Sequence, residues 1–224
     1  MTLRFAVFDI DGTLIDSAAA IVAGVQACWT ACGFPDADPV AVRRTIGLPW
    51  EQGVRALLPD SGAAELAAIR AYHDEVARGV RIRPPLTEVL FPGALEALEE
   101  IAATGALLGI VTSRNSRRLA QLLETHGLHD HFVCVKTVDH GPGKPDPHLL
   151  LQAMSDVGAD RARTVMIGDT TYDIQMAANA GTAGVGVAWG VHEPAELKAA
   201  GARHVVQAFH ELPSIVHDLI GAAP

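Results

Sequence analysis

Short apolar segments alternate with helical patterns through the C-terminal two thirds of the chain, and this alternation limits the fold more than any other feature. The segments are apolar throughout rather than at every second position, which is typical of strands covered on both faces. Strands that alternate with helices of about ten residues predict β-α-β units and a parallel sheet. The predicted strands are 106–111, 132–135, 164–167 and 183–188, and the predicted core residues include Phe5, Val7, Leu108, Ile110, Val133, Val165 and Ile167.

A long interval separates the first predicted strand, Leu3–Phe8, from the next one near residue 106. One crossover helix needs only about a dozen residues, so this interval must hold further structure. The segment Arg83-Pro84-Pro85, which is stiff and poor in backbone donors, marks its end. A small helical domain inserted after the first strand is therefore expected, with helices at 18–32, 39–45, 50–58 and 63–80.

The composition excludes several classes of partner. The 224 residues include 17 Lys and Arg and 26 Asp and Glu, which gives a formal net charge of −9 and disfavours nucleic-acid binding. No apolar run approaches the roughly 18–20 residues that cross a bilayer, so no membrane partner is expected. Asp9 and Asp11 interrupt the first apolar segment, unlike a signal peptide. Cys28, Cys32 and Cys134 are an odd and sparse set, which indicates reduced thiols and a cytoplasmic protein.

Two aspartates, Asp9 and Asp11, directly follow the first predicted strand. Their spacing points both carboxylates to the same side, and Gly12 lets the chain turn closely past a ligand. Two acids this close raise one another's pKa unless a cation lies between them or they share a proton. The pair therefore suits a hard divalent cation, although exposed loop aspartates also follow strands.

A second acidic pair, Asp169 and Asp173, follows the predicted strand 164–167. Asp169 ends the strand, and Asp173 lies where the next helix begins, a position that favours acids through the helix dipole. The alternative interpretation is that Asp169 only caps this helix. The other acidic pair at a second strand end favours a shared site.

Two further segments offer groups that bind anions. Thr112 and Ser113 lie between a strand and a helix, where hydroxyls and backbone N–H groups cradle anions or simply cap the helix. Lys144 lies in a loop rich in glycine and proline, which indicates either a positioned charge or an ordinary turn. All these segments follow predicted strands, at the edge where open α/β sheets bind ligands. Together they predict a site for a divalent cation and a phosphate group.

These motifs, in this order, resemble those of the haloacid dehalogenase (HAD) superfamily, and more narrowly its phosphoglycolate-phosphatase-like branch. The resemblance covers nearly the whole chain and rests on Asp9-Ile10-Asp11-Gly12-Thr13, Thr112, Lys144-Pro145 and Gly168-Asp169 with Asp173. It implies an α/β fold with a Rossmann-like parallel-sheet core formed by residues 1–14 and 85–224. Residues 15–84 are then expected to form an inserted, all-helical cap domain.

The resemblance implies a Mg²⁺-dependent phosphatase acting on a small phosphorylated metabolite such as phosphoglycolate. Asp9 would be the nucleophile that forms an aspartyl-phosphate, and Asp11 the general acid and base. Thr112 and Lys144 would complete the catalytic set by holding the phosphoryl oxygens. The expected substrate-binding residues are Thr112, Ser113, Arg114 and Lys144 with Gly47 and Arg44 (or Arg43) of the cap, and the expected metal ligands are Asp9, Asp11 through its backbone carbonyl, Asp169 and Asp173.

Several alternatives stay open within and outside this reaction class. A phosphosugar mutase would use the same residues, a pyrophosphatase would differ in substrate, and a non-catalytic phospholigand-binding module would release no phosphate. A haloacid dehalogenase is disfavoured by Asp11, because a halide leaving group needs no proton. Ser113 and Arg114 depart from the Asn and Lys common at these positions in the branch, which leaves the substrate open. A monomer and a homodimer are both compatible with the sequence.

Overall fold

The fold, described by a computed structural model for residues 3–81 and 88–221, is built on a parallel sheet. In these residues the strands are β1 (Leu3–Phe8), β2 (Ile15–Asp16), β3 (Val89–Leu90), β4 (Leu107–Val111), β5 (Cys134–Lys136), β6 (Ala159–Gly168), β7 (Ala183–Val187) and β8 (His204–Val206). Six of them form the parallel sheet in the order β5-β4-β1-β6-β7-β8. The other two, β2 and β3, form a short antiparallel pair.

Helices cover both faces of the sheet. Along β1, Ala6 and Phe8 belong to one apolar layer, whereas Phe5 and Val7 belong to the layer on the opposite face. Because both faces are covered, all four residues are buried, and this part of the strand is apolar without alternation. The sheet helices are α5 (Ala94–Ala103), α6 (Ser116–Thr125), α7 (His148–Val157), α8 (Thr171–Ala180), α9 (Pro194–Ala199) and α10 (Leu212–Ile220).

Between β2 and β3, the described residues contain four helices that form a separate cluster, which we call the helical unit. They are α1 (Ala18–Cys32), α2 (Pro39–Arg44), α3 (Trp50–Leu57) and α4 (Ala63–Ala77). Their own small core includes Trp29, Val54 and the fully buried Ile69. Helix α1 ends at Gly33, whose φ of 78° is in the left-handed region that glycine adopts without strain. The boundary expected at Pro84-Pro85 lies outside the described residues.

The carboxyl ends of β1, β4 and β6 lie side by side at the centre of the sheet. Phe8 pairs with Ile110 on one side and with Ile167 on the other. The chain segments that continue from these strands therefore emerge at one edge, where the strand order reverses direction. This is the place at which open α/β sheets bind ligands.

The structure corrects the predicted core at one position, Val133. Its side chain is exposed, at 59% of full accessibility, because β5 begins one residue later and is the edge strand of the sheet. The predicted strand 164–167 is longer than expected, since β6 begins at Ala159. Within residues 3–81 and 88–221, no helix combines the length and apolar character that a bilayer span requires.

Candidate active site

Three buried aspartates converge at this edge of the sheet. Asp9 follows β1, Asp169 follows β6, and Asp173 lies in the first turn of α8. One carboxylate oxygen from each lies within 4.8 Å of the others, and each residue is at most 1% exposed. The structure therefore brings together three of the four aspartates that the sequence singled out.

Lys144 supplies a positive charge inside this acidic cluster. Its Nζ lies 2.7 Å from Asp9 Oδ1 and 2.6 Å from Asp173 Oδ1, and its side chain is completely buried. Burial disfavours the ammonium, but the two carboxylates outweigh this effect and raise the pKa of Lys144. The Lys144 ammonium faces three acidic side chains, so the cluster carries excess negative charge when all three are ionised.

Burial and mutual repulsion raise the pKa values of two of these acids. Burial raises the pKa of Asp9 to about 7; Lys144 opposes the shift, and the charges of Asp173 and Asp11 add to it. Burial and the charges of Asp173 and Asp9 raise the pKa of Asp169 well above its usual range. Asp9 Oδ2 is buried and receives no hydrogen bond from any residue in 3–81 or 88–221. A divalent cation would relieve these costs, since hard cations prefer carboxylate oxygens.

Hydrogen bonds fix the orientation of Asp169. The Thr13 hydroxyl donates to Asp169 Oδ1 and the backbone N–H of Val191 donates to Oδ2, each at 2.9 Å. A Cβ at Gly190 would lie only 2.1 Å from the Cβ of Asp169, so this close approach requires glycine.

Asp173 is oriented in a similar way by its own helix. Its Oδ2 accepts hydrogen bonds from the Thr170 backbone N–H at 3.0 Å and from the Thr170 hydroxyl at 2.6 Å. The other oxygen, Oδ1, remains directed at Lys144. The acidic cluster is thus held in place before any ligand binds.

Asp11 is held apart from the other three acids. Its carboxylate accepts two hydrogen bonds from the Arg114 guanidinium, the Nε one at 2.8 Å, and a third from the Ser17 hydroxyl. Burial raises the pKa of Asp11, but Arg114, the Ser17 hydroxyl and the charge of Arg118 together outweigh burial, and the net shift is downward. Arg114 also pairs with Glu88 at 2.8 Å. The Asp11 side chain is therefore an ionised carboxylate held by Arg114 and Ser17, and only its backbone carbonyl was expected to bind metal.

The remaining predicted site residues lie at the junction with the helical unit. Thr112 is buried at the end of β4, and its hydroxyl accepts a hydrogen bond from the Arg114 N–H at 3.3 Å. The Ser113 hydroxyl donates to the Gly47 carbonyl at 2.5 Å. Arg44 is half exposed and binds Glu196 through two hydrogen bonds, so it contacts α9 and none of the buried acids. Its predicted contact with a substrate anion stays a prediction.

Three residues that shape the site, Thr13, Ser17 and Glu88, were not among the site residues predicted from the sequence. Thr13 lies within the motif Asp9-Ile10-Asp11-Gly12-Thr13, so its place beside the two aspartates could have marked its hydroxyl as a site group. Ser17 and Glu88 reach Asp11 and Arg114 because β2 and β3 pair next to them. A pair of two-residue strands leaves no periodic pattern, so the sequence alone offered no signal for these two residues.

The fold and the site together define a parallel α/β protein with a buried acidic centre suited to a divalent cation. A family model described as "Haloacid dehalogenase-like hydrolase" matches residues 6–187. The chain belongs to this family, which confirms the predicted fold class and a hydrolase.

Named proteins and solved structures resemble the chain over nearly its full length. It is 37% identical over 217 residues to "Probable phosphatase IndB" of Dickeya dadantii, covering 96% of this chain and 94% of that protein. It is 32% identical over 224 residues to "Phosphoglycolate phosphatase" of Caulobacter vibrioides, covering 97% and 92%. A crystal structure from Bacteroides fragilis, described as a haloacid dehalogenase-like hydrolase, superimposes with a TM-score of 0.85 at 27% identity, covering 94% of this chain and 99% of that one.

Proposed function

We propose that the protein is a Mg²⁺-dependent phosphatase that hydrolyses a small phosphate monoester through an aspartyl-phosphate on Asp9. One observation carries the proposal: Asp9 is buried beside two further acids, with Lys144 at one carboxylate oxygen and no hydrogen bond from any described residue to the other. The phosphatase names of the two relatives support the same reaction.

Asp9, Asp169 and Asp173 are the side chains that would hold the ion, together with the backbone carbonyl of Asp11. Their oxygen donors fit Mg²⁺, and the excess negative charge of the cluster fits a cation. Bound there, Mg²⁺ supplies the charge that lets an anionic phosphate approach an anionic nucleophile.

Asp9 has the attributes of a nucleophile in this reaction. Its carboxylate oxygen forms a bond to phosphorus while the ester oxygen leaves with a proton, and the product is an aspartyl-phosphate plus an alcohol. Water then attacks phosphorus, the aspartyl bond breaks, and inorganic phosphate departs as Asp9 is restored. Thr112 and Lys144 are suited to hold the phosphoryl oxygens: Lys144 contacts Asp9, and the buried Thr112 follows β4, the strand that pairs with β1.

Asp11 is the group proposed to move the protons. It donates one to the leaving alcohol in the first step and accepts one from the attacking water in the second. Its contacts with Arg114 and Ser17 keep it ionised in this conformation. We therefore expect the Asp11 side chain to leave Arg114 and take up a proton from water when substrate binds, and then to donate that proton to the ester oxygen.

The helical unit is proposed to act as the cap over this site. It contacts the core through Ser113 and Gly47, and through the Tyr172 hydroxyl, which donates to the Arg44 carbonyl at 3.1 Å. Movement of the unit about its two connections would admit substrate and then exclude bulk water. The proposed division remains a core of residues 1–14 and 85–224 and a cap of residues 15–84.

Phosphate release from a panel of phosphate esters, measured with Mg²⁺ and with EDTA, tests the proposal. Asp9→Asn is expected to lower turnover at least about a thousandfold, because an amide is a far weaker nucleophile. Asp16→Asn, at an exposed aspartate of β2, is the matched control and should retain wild-type turnover.

An Asp9→Asn variant that retains turnover within about tenfold of wild type would contradict the covalent mechanism. Rapid quenching with ³²P-labelled ester should label the wild-type chain and not the Asp9→Asn variant. Isomer interconversion without free phosphate would instead indicate a mutase.

A further inference from the structure

A cavity of about 220 Å³ lies between the helical unit and the carboxyl edge of the sheet. An apolar cavity of about 150 Å³ already accepts benzene, so this one has room for a substituted ring. Its walls in the helical unit are mainly aliphatic and aromatic: Ile21, Val25, Trp29, Trp50, Leu57 and Tyr72.

The cavity meets the proposed reaction centre at Asp11, which is the one residue of the expected catalytic set in its lining. Asp11, Ser113 and Arg114 line the end of the cavity that the core contributes. Since Asp11 is proposed to protonate the leaving oxygen, the atoms attached to that oxygen extend from Asp11 into the cavity. The walls of the helical unit are therefore the surface that the leaving group meets.

Charged partners for a leaving group are scarce in this cavity. Among the described residues, the helical unit contributes no Asp, Glu, Lys or Arg to its lining. Arg114 is paired with Glu88 at 2.8 Å, a contact that does not depend on the proposed movement of Asp11. Arg118, on the core side, is the remaining guanidinium among the described residues of the lining. A short carboxylate such as glycolate would leave most of the apolar wall unfilled.

We propose that this cavity binds the leaving group of the substrate and that the leaving group is an apolar, ring-bearing alcohol rather than a short hydroxy acid. The inference rests on the proposed phosphatase activity and names its substrate class. The driving force is burial of the ring against α1, α3 and α4, away from water.

Three primary alkyl esters test this specificity: ethyl phosphate, 2-phenylethyl phosphate and phosphoglycolate, each assayed for phosphate release with Mg²⁺. The first two differ mainly by a phenyl group, which buries about 100 Å² of additional apolar surface. This area corresponds to a kcat/KM about 50- to 100-fold higher for 2-phenylethyl phosphate than for ethyl phosphate. Phosphoglycolate is expected to rank below 2-phenylethyl phosphate.

Two adjacent leucines provide a matched pair of variants. Leu57 lines the cavity, whereas Leu58 belongs to the same apolar cluster and does not line it. Leu57→Ala is expected to lower the ratio of the two kcat/KM values about fivefold, whereas Leu58→Ala should keep it within about twofold. Because the ratio is internal to each variant, loss of folded protein does not change it. Val25→Ala, in another wall of the cavity, is interpreted in the same way.

Two results would overturn the inference while leaving the phosphatase activity intact. One is a ratio near one that neither leucine variant changes. The other is a preference for phosphoglycolate that Arg118→Gln abolishes, which would assign the cavity to a carboxylate. Absence of phosphate release from every ester would overturn the proposed function itself and, with it, this inference.

Discussion

Replacing Lys144 with Met tests whether the buried lysine balances the charge of the acidic cluster. Met keeps most of the length of the side chain and removes the ammonium that lies 2.7 Å from Asp9 and 2.6 Å from Asp173. Removing one partner of a buried ion pair costs about 3–5 kcal/mol, because the remaining charge is left uncompensated. For a chain of this size, with a urea m-value of about 2–3 kcal/mol/M, the midpoint should fall by about 1–2 M.

The loss should depend on pH in a defined direction. Lys144 has a raised pKa, so it is fully charged in the wild type throughout the acidic and neutral range. Without it, the pKa of Asp9, which burial already raises to about 7, rises further because Lys144 opposes that shift. The folded variant then holds a proton that the unfolded chain releases, so its free energy of unfolding falls as pH increases. The destabilisation should be larger at pH 8 than at pH 5.5.

Urea unfolding in EDTA, followed by circular dichroism at the two pH values, measures this effect. Lys136→Met is the matched control, because Lys136 Nζ lies 2.6 Å from an Asp156 side chain that is half exposed. That pair should contribute less than about 1 kcal/mol. Equal midpoints for Lys144→Met and wild type, or a larger loss at pH 5.5, would refute the reasoning.

Three further predictions concern the same site. Mg²⁺ should raise the thermal midpoint of unfolding more at pH 8 than at pH 5.5. The reason is that Asp9 and Asp169 have raised pKa values, so protons compete with the ion at the lower pH. Equal shifts of the midpoint at the two pH values in a Mg²⁺ titration would contradict this prediction. Gly190→Ala should weaken Mg²⁺ activation at least about tenfold, because the added Cβ displaces Asp169. Gly62→Ala is the control and should leave activation unchanged, since the nearest atom to a Cβ there is 3.8 Å away. An unchanged Mg²⁺ titration for Gly190→Ala would argue against Asp169 as a metal ligand. Arg114→Gln should raise the pKa of Asp11, because burial is then less opposed. Since Asp11 is proposed to donate a proton in the first step, the alkaline limb of the kcat/KM–pH profile should move upward, and an unmoved limb would show that this limb does not report Asp11.

The parts of the fold that could be predicted are those whose burial is visible in the local sequence. Strands covered on both faces require uninterrupted apolar residues, so β1 and the interior of β6 were evident. Asp9 and Asp169 interrupt or end such strands, which made them conspicuous as polar groups at the sheet edge. Parallel pairing then brings them together without any knowledge of side-chain contacts.

The parts that could not be predicted depend on contacts between distant segments. The partners of Arg114 are Asp11 and Glu88, which lie 103 and 26 positions away along the chain. Nothing local distinguishes a guanidinium facing a substrate from one facing a carboxylate, and for the same reason Arg44 gave no sign of its contact with Glu196. Val133 was misassigned because its exposure depends on β5 being at the sheet edge, which is a property of the topology.

The hydrogen bonds that join the core to the helical unit have an evolutionary consequence. The Ser113 and Tyr172 hydroxyls both donate to main-chain carbonyls of the unit, those of Gly47 and Arg44. Main-chain acceptors are present whatever side chains the unit carries, so these two attachments survive sequence drift in the cavity walls. New leaving-group preferences can therefore arise by replacing wall residues one at a time, with the docking of the unit and the chemistry beneath it inherited unchanged.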